Sequence, residues 1–257
     1  MIEDYSPNVT FEGDNTVMAQ QSCKFLLKMQ KKISENPGSQ FDPCFNYIKE
    51  ANTVTKKKCR AKLMEDFLNL DVIEEALKVR ILVKLNYIVK KRDESTLSKN
   101  EFMNSVYAED IVRLSEEHIK FITFQFFKWN VTSSKIKCSN LKKTLTDLCM
   151  LNGLDLLHKD SRACYECGYF GSEPYGAWIL DAIKHLNQEI RPQALNILES
   201  FNMNDNFLMS AIGNSYGDIY ETHLRWAQNS RYNKTKAGDS IPDGYLEYMT
   251  PILKAKL

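Results

Sequence analysis

The chain has 257 residues, 43% of them hydrophobic, enough to bury a substantial core in one large or two smaller domains and too many for a disordered chain. Its 34 Lys and Arg residues balance 33 Asp and Glu residues, so bulk charge gives no reason to expect nucleic acid or an anionic membrane as a partner. No apolar run approaches the roughly 20 residues that cross a bilayer, and the start MIEDYSPN has neither a basic flank nor an apolar stretch, so a membrane span and secretion are not expected.

Only 10 Gly and 7 Pro occur, and apolar residues recur at intervals of three and four, which predicts an all-α helical bundle. From Asn15 to Ile33 the positions Met18, Ser22, Phe25, Met29 and Ile33 form one stripe, with Lys24, Lys28, Lys31 and Lys32 mostly outside it. Asn36-Pro37-Gly38 ends that helix, and Ser39 to Pro43 reads as a loop. This loop-rich stretch sets residues 1–37 apart from residues 38–257, with helical character on both sides. A second helix is expected from about Lys58, turning Leu63, Phe67 and Leu70 inward, and a third from Asp71 as N-cap with Glu74 three residues on. The apolar face of that third helix is Leu77, Ile81, Leu85 and Ile88, and it stops in the charged stretch Lys90 to Thr96.

Glu101 to Trp129 reads as one long helix presenting Phe102, Val106, Leu114, Phe121, Ile122 and Phe126. Its aromatic cluster, Phe121 to Trp129, is too continuous for one face, so part of it is expected between helices or at a subunit contact. Leu141–Leu157 and Ala177–Leu186 follow, Pro192 suits the first turn of another helix, and Asp218 is expected to cap a helix over Asp218–Ala227.

Seven scattered cysteines without a secretory signal point to reduced thiols. The pair Cys164 and Cys167 has C-x-x-C spacing, but no second pair or nearby His completes a metal set, so no metal site is expected. The four histidines have no partner at a metal-ligand interval, and Lys56-Lys57-Lys58 reads as a solvated helix start.

Thr10-Phe11-Glu12-Gly13-Asp14-Asn15-Thr16-Val17 places a carboxylate immediately before a helix. Gly13 lets backbone and ligand approach closely beside Glu12, while Asp14, Asn15 or Thr16 can cap the helix. On these generic features alone, capping is the better account of the segment, since Glu-Gly is a common dipeptide and capping residues before a helix are ordinary.

The longer string FEGDNTVMAQQSCKFLLK resembles the segment that opens the C-terminal helical region of acyl-CoA oxidases; the sister acyl-CoA dehydrogenases show a shorter Y-E-G-T form. The resemblance continues in order through Ile190-Arg191-Pro192-Gln193-Ala194, Ser210-Ala211-Ile212-Gly213, Tyr216 to Glu221, and Leu224 to Asn233, which looks like the family's W-A-x-x-S-x-x-N pattern. It implies that Glu12 is the catalytic base that takes the proton alpha to an acyl-CoA thioester while the beta carbon gives hydride to FAD. A Glu shielded from water has a raised pKa, which suits it to a weakly acidic carbon. By the same resemblance Gly13 leaves room for the thioester, and Asp14, Asn15 and Thr16 approach the flavin.

A dehydrogenase ends within a few tens of residues of its base, whereas this chain runs on for more than two hundred, an oxidase trait. The resemblance therefore implies molecular oxygen as the electron acceptor, hydrogen peroxide as a product, and a homodimer. The final Ala255-Lys256-Leu257 is a conservative variant of the Ser-Lys-Leu address read by the peroxisomal import receptor. The family's N-terminal helical domain and middle β-domain have no counterpart in MIEDYSPNVT, so two readings stay open. The chain is the base-bearing part of an oxidase, inactive on its own without the flavin-binding domain, or it is a catalytically silent shortened paralogue or helical module that pairs with a full-length oxidase.

Overall fold

Helix α1, Thr16–Glu35, turns Cys23, Leu26, Leu27, Met29 and Ile33 into the core. The computed structural model describes residues 15–38, 40–230, 233 and 244–254. The buried face is rotated from the expected stripe: Met29 and Ile33 lie on it, but Met18 and Phe25 are about half exposed. Two apolar stripes overlap in this segment, and the one containing Cys23 and Leu26 wins because it meets helix α3 (Ala108–Thr132). Phe25 instead packs edge-on against Phe45, centroids 5.6 Å apart, in the 3-10 turn Pro43–Glu50.

The helix expected near Lys58 does not form. Short 3-10 turns occupy Val54–Lys56 and Met64–Phe67, and between them Cys59 N–H donates to the Tyr169 carbonyl at 2.9 Å, so the backbone is bonded to a distant segment. Phe67 is fully buried as expected, whereas Leu63 is exposed. Helix α2, Leu70–Glu94, is capped by Asn69, whose Oδ1 accepts from Asp71 N–H at 2.8 Å. The expected cap, Asp71, lies in the first turn and pairs across to Lys128 Nζ at 2.5 Å. Leu77, Ile81, Leu85 and Ile88 are all buried as the pattern predicts, and so are Ile73, Ala76 and Leu82, because α2 is covered on several sides.

The single helix expected over Glu101–Trp129 is interrupted. Ser98 and Glu101 form a reciprocal capping box around Lys99–Glu101, a π turn spans Phe102–Val106, and α3 starts at Ala108. Tyr107 N–H donates to the Phe102 carbonyl at 3.2 Å, the five-residue closure of that turn. Phe121 and Phe124 are buried while Phe126 and Trp129 are exposed, so the aromatic cluster is divided between core and surface. Helices α4, Ser139–Lys159, and α5, Tyr175–Ile190, complete the bundle; α3 packs on α1, α2 and α4, and α4 also packs on α2 and α5. Gly153 permits the close passage of α4, since a Cβ there would overlap Ile73 Cγ2 and the Phe124 ring.

A buried ion pair ties three of these helices together. Arg80 of α2, 2% exposed, meets Glu117 of α3 at 2.5 Å and donates to the carbonyls of Leu156 in α4 and of Asp160, the latter at 3.0 Å. Lys84 reaches Asp160 at 2.5 Å. Glu50 receives Lys57 and Lys78, fastening the Pro43–Glu50 turn to α2; burial alone would raise its pKa, but the two hydrogen bonds hold the carboxyl below the usual range.

The chain divides into two units, Met1–Gln193 and Ala194–Leu257. The second contains α6 (Ala194–Glu199), a turn at Asp205–Leu208, α7 (Ile219–Asn229) and a terminal helical segment, Tyr245–Lys254. Asp218 sits at the N-cap of α7, but its side chain does not bond the first-turn amides. Its carboxylate accepts from the hydroxyl of Thr222 (2.8 Å), Asn214 Nδ2 (2.9 Å) and Arg225 Nη2 (2.8 Å). Together with Gly217 at φ +73°, this network gives Tyr216–Glu221 a structural use, as the entry into α7. Among the described residues there is no strand, in keeping with the all-α expectation.

Candidate active site

Two of the expected site residues are described. Asn15 is the exposed N-cap of α1, with φ −75° and ψ 7°; its carbonyl accepts from Ala19 N–H at 2.8 Å, and its side chain makes no capping hydrogen bond. Thr16, half-buried, is the first helical residue. Glu12, Gly13, Asp14, Ala255, Lys256 and Leu257 lie outside the described residues.

The geometry around Asn15 follows from α1. This 20-residue helix packs on α3 and buries Cys23, Leu26 and Leu27, while its first two turns, residues 16–22, are exposed or half-buried. That end carries the positive pole of the helix dipole and amides without helical partners, and no acidic side chain occupies the first turn. Asn15 thus stands exposed at the helix start with its side-chain amide uncommitted to capping.

Several other groups with reactive potential are committed to structure. The Tyr47 hydroxyl and His118 Nδ1 are 2.8 Å apart and buried, and the His118 ring stacks on Phe45. Burial pushes His118 down to about 4, so it is neutral near pH 7 and shares one hydrogen bond with the Tyr47 hydroxyl. All seven cysteines are free. Burial pushes the Cys23, Cys149 and Cys164 thiols up to about 12, which keeps them protonated. Cys164 Sγ points to the Ala76 carbonyl at 3.6 Å, so the C-x-x-C pair serves packing. Among the described residues no cluster of three or more His, Cys, Asp or Glu could hold a metal ion, and no helix is long and apolar enough to cross a membrane.

Two features escaped the sequence. One is the Arg80–Glu117 pair, whose only signal is a charged residue inside each helical apolar stretch. The other is a groove of about 700 Å³ along α1, walled by Lys24, Lys28 and Lys31 and closed by residues 92–103. The lysines are visible in sequence, but the opposite wall is brought to them only by the fold.

Comparison with known proteins assigns this architecture. The chain superposes on the solved structure of Arabidopsis thaliana acyl-CoA oxidase 1 with a TM-score of 0.82 and 26% identity, covering 98% of this chain and 37% of that one. Caenorhabditis elegans acyl-CoA oxidase-1, solved in complex with FAD and ATP, shares the fold at a TM-score of 0.77 and 21% identity, covering 97% and 36%. These are all-α regions of acyl-CoA oxidases. The family model described as acyl-CoA oxidase matches residues 69–254, and the chain belongs to that family. Peroxisomal acyl-coenzyme A oxidase 1 of Arabidopsis thaliana is 30% identical over 263 residues, and its namesake from Phascolarctos cinereus 28% over 258. Each match covers 98% of this chain, which spans 37% and 38% of the length of these two relatives. The whole-chain likeness takes in α1, which lies before the start of the family match.

Proposed function

We propose that this chain supplies the base-bearing helical part of a peroxisomal, flavin-dependent acyl-CoA oxidase that converts acyl-CoA to trans-2-enoyl-CoA with release of hydrogen peroxide in fatty-acid β-oxidation. The observation that carries this reading is family membership combined with Glu12-Gly13 just before the start of α1. Glu12 takes the alpha proton of the thioester, and Gly13 leaves the space in which the thioester lies. Asp14, Asn15 and Thr16 form the polar edge that meets the cofactor. FAD, when bound, supplies the acceptor for the beta hydride and passes its electrons to molecular oxygen. The exposed Asn15 amide, uncommitted to capping, and a first turn without acidic side chains fit such a cofactor edge. In this reading residues 1–37 are the base-bearing segment with its helix, and residues 38–257 the C-terminal oxidase domain. The assembly is a homodimer, and Ala255-Lys256-Leu257 addresses it to the import receptor. The peroxisomal names of the relatives support that location.

The test is to join the chain to the N-terminal and flavin-binding domains of a family oxidase and measure peroxide released from long-chain acyl-CoA. Glu12→Gln is expected to lower turnover at least about 100-fold, the scale of losing a general base, while the flavin absorbance stays unchanged. Undiminished turnover in that variant overturns the assignment of the base. A chimera that binds flavin yet makes no peroxide with Glu12 intact favours the silent helical module instead.

A further inference from the structure

The groove along α1 has a charge distribution that the stability of the fold does not account for. Lys24, Lys28 and Lys31 stand on its first wall, and Arg92 and Lys99 on its second; no acidic residue lines it, in a chain whose 34 basic and 33 acidic residues balance. Lys24 and Lys28 are four residues apart and Lys28 and Lys31 three, so each is a neighbour of the next on the helix surface, about 5–6 Å apart at Cβ, and like charges at these spacings repel. Compensation is partial. Lys31 has Glu35 at 3.8 Å and Arg92 binds its neighbour Asp93 at 2.9 Å, but Lys24, Lys28 and Lys99 have no acidic partner among the described residues. Between the two walls the floor is apolar, built from Leu27, Phe102 and Met103, with Phe25 and Leu97 standing 51% and 39% exposed at its lip.

We propose that this groove binds a single phosphate-bearing amphiphile, its phosphate held by the cationic walls and its hydrocarbon part covering Phe25 and Leu97. A simple anion would use the walls and leave the apolar lip in water; a neutral lipid would cover the lip and leave the lysines unpaired. A phosphate monoester with an alkyl chain satisfies both. It is largely dianionic near neutral pH, its second pKa being about 6, and so answers several converging cations better than a carboxylate does. The volume of about 700 Å³ lies in the range of small-molecule clefts, about 300–1,000 Å³, which points to a dissolved molecule and not to a bilayer.

The experiment uses the full chain and isothermal titration with octyl phosphate below its micelle concentration, with inorganic phosphate and octyl glucoside as controls. Octyl phosphate is expected to bind one to one and at least tenfold more tightly than either control. The variant carrying both Lys24→Gln and Lys28→Gln should weaken it at least tenfold, and Leu97→Ser severalfold. Raising the salt from 0.05 to 0.5 M should weaken wild-type binding severalfold, a readout that needs no variant. Equal affinity for octyl glucoside or inorganic phosphate, indifference to the lysine variant, or indifference to salt overturns the proposal. So does retention on phosphatidylglycerol vesicles without binding of soluble octyl phosphate, which would make this face a membrane contact. The readout is binding and does not depend on Glu12, so the proposal stands or falls separately from the assignment of the base.

Discussion

The two units of the chain are both helical, yet they treat their apolar side chains in opposite ways. In the first unit every long helix turns a face into a shared core, and α2 alone buries ten residues because other helices lie against it on several sides. In the second unit only Ala211 and Thr222 are buried among the described residues, while Phe207, Tyr216 and Tyr220 are 80–90% exposed. Helix length is one cause: α2 and α3 have 25 residues each, α6 and α7 only 6 and 11, and a short helix offers few turns on which several neighbours can close. Periodicity thus marks a face that gains by being covered, without saying whether the cover belongs to the same unit.

That contrast can be tested from its strongest contact outward. Glu117→Ala leaves Arg80 charged and buried, and about 3–5 kcal/mol of stability should disappear from urea unfolding at pH 7. Next in size is the effect of acid on His118. Its folded pKa is about 4 against an ordinary 6.5, so the unfolded chain takes up a proton that the folded chain refuses. The stability from keeping His118 neutral is complete above pH 6.5 and lost as the pH falls toward 4, a loss of about 3 kcal/mol. Comparing wild type with His118→Gln across that window isolates the effect; parallel curves would show that the ring is not protected from protonation. Gly153→Ala forces a methyl group against Ile73 and the Phe124 ring, and should cost about 1–3 kcal/mol in the same assay. Smallest is Tyr220→Ser in the second unit, expected within about 0.5 kcal/mol of wild type because the side chain is 84% exposed. If Tyr220→Ser matched Gly153→Ala, the second unit would have a core of its own and the contrast would fail.

Legibility of the fold followed the strength of local signals. The face Leu77, Ile81, Leu85, Ile88 was plain because four large aliphatic residues recur at helical spacing, and the further apolar residues of α2, such as Ile73 and Leu82, are buried beside it without displacing it. The orientation of α1 was not, because Met18 and Phe25 compete with Cys23 and Leu26 for the inward position, and contact with α3 decides between them. Asn69 rather than Asp71 became the cap of α2 once Asp71 was drawn to Lys128, a residue of another helix. Of the candidate site, the string around Glu12 is legible without coordinates, and the structure adds the helix start, with Asn15 as N-cap and Thr16 as first helical residue.

By itself the sequence determined that the chain is helical and which family it resembles, since helix formation depends on neighbours within four residues and the FEGDNTV string is contiguous. Only the tertiary structure decided which faces turn inward, that Arg80 finds the Leu156 carbonyl 76 residues away, and that residues 92–103 stand opposite the lysines of α1. Burial and charge pairing are properties of groups that meet across the fold, and no local pattern records those meetings.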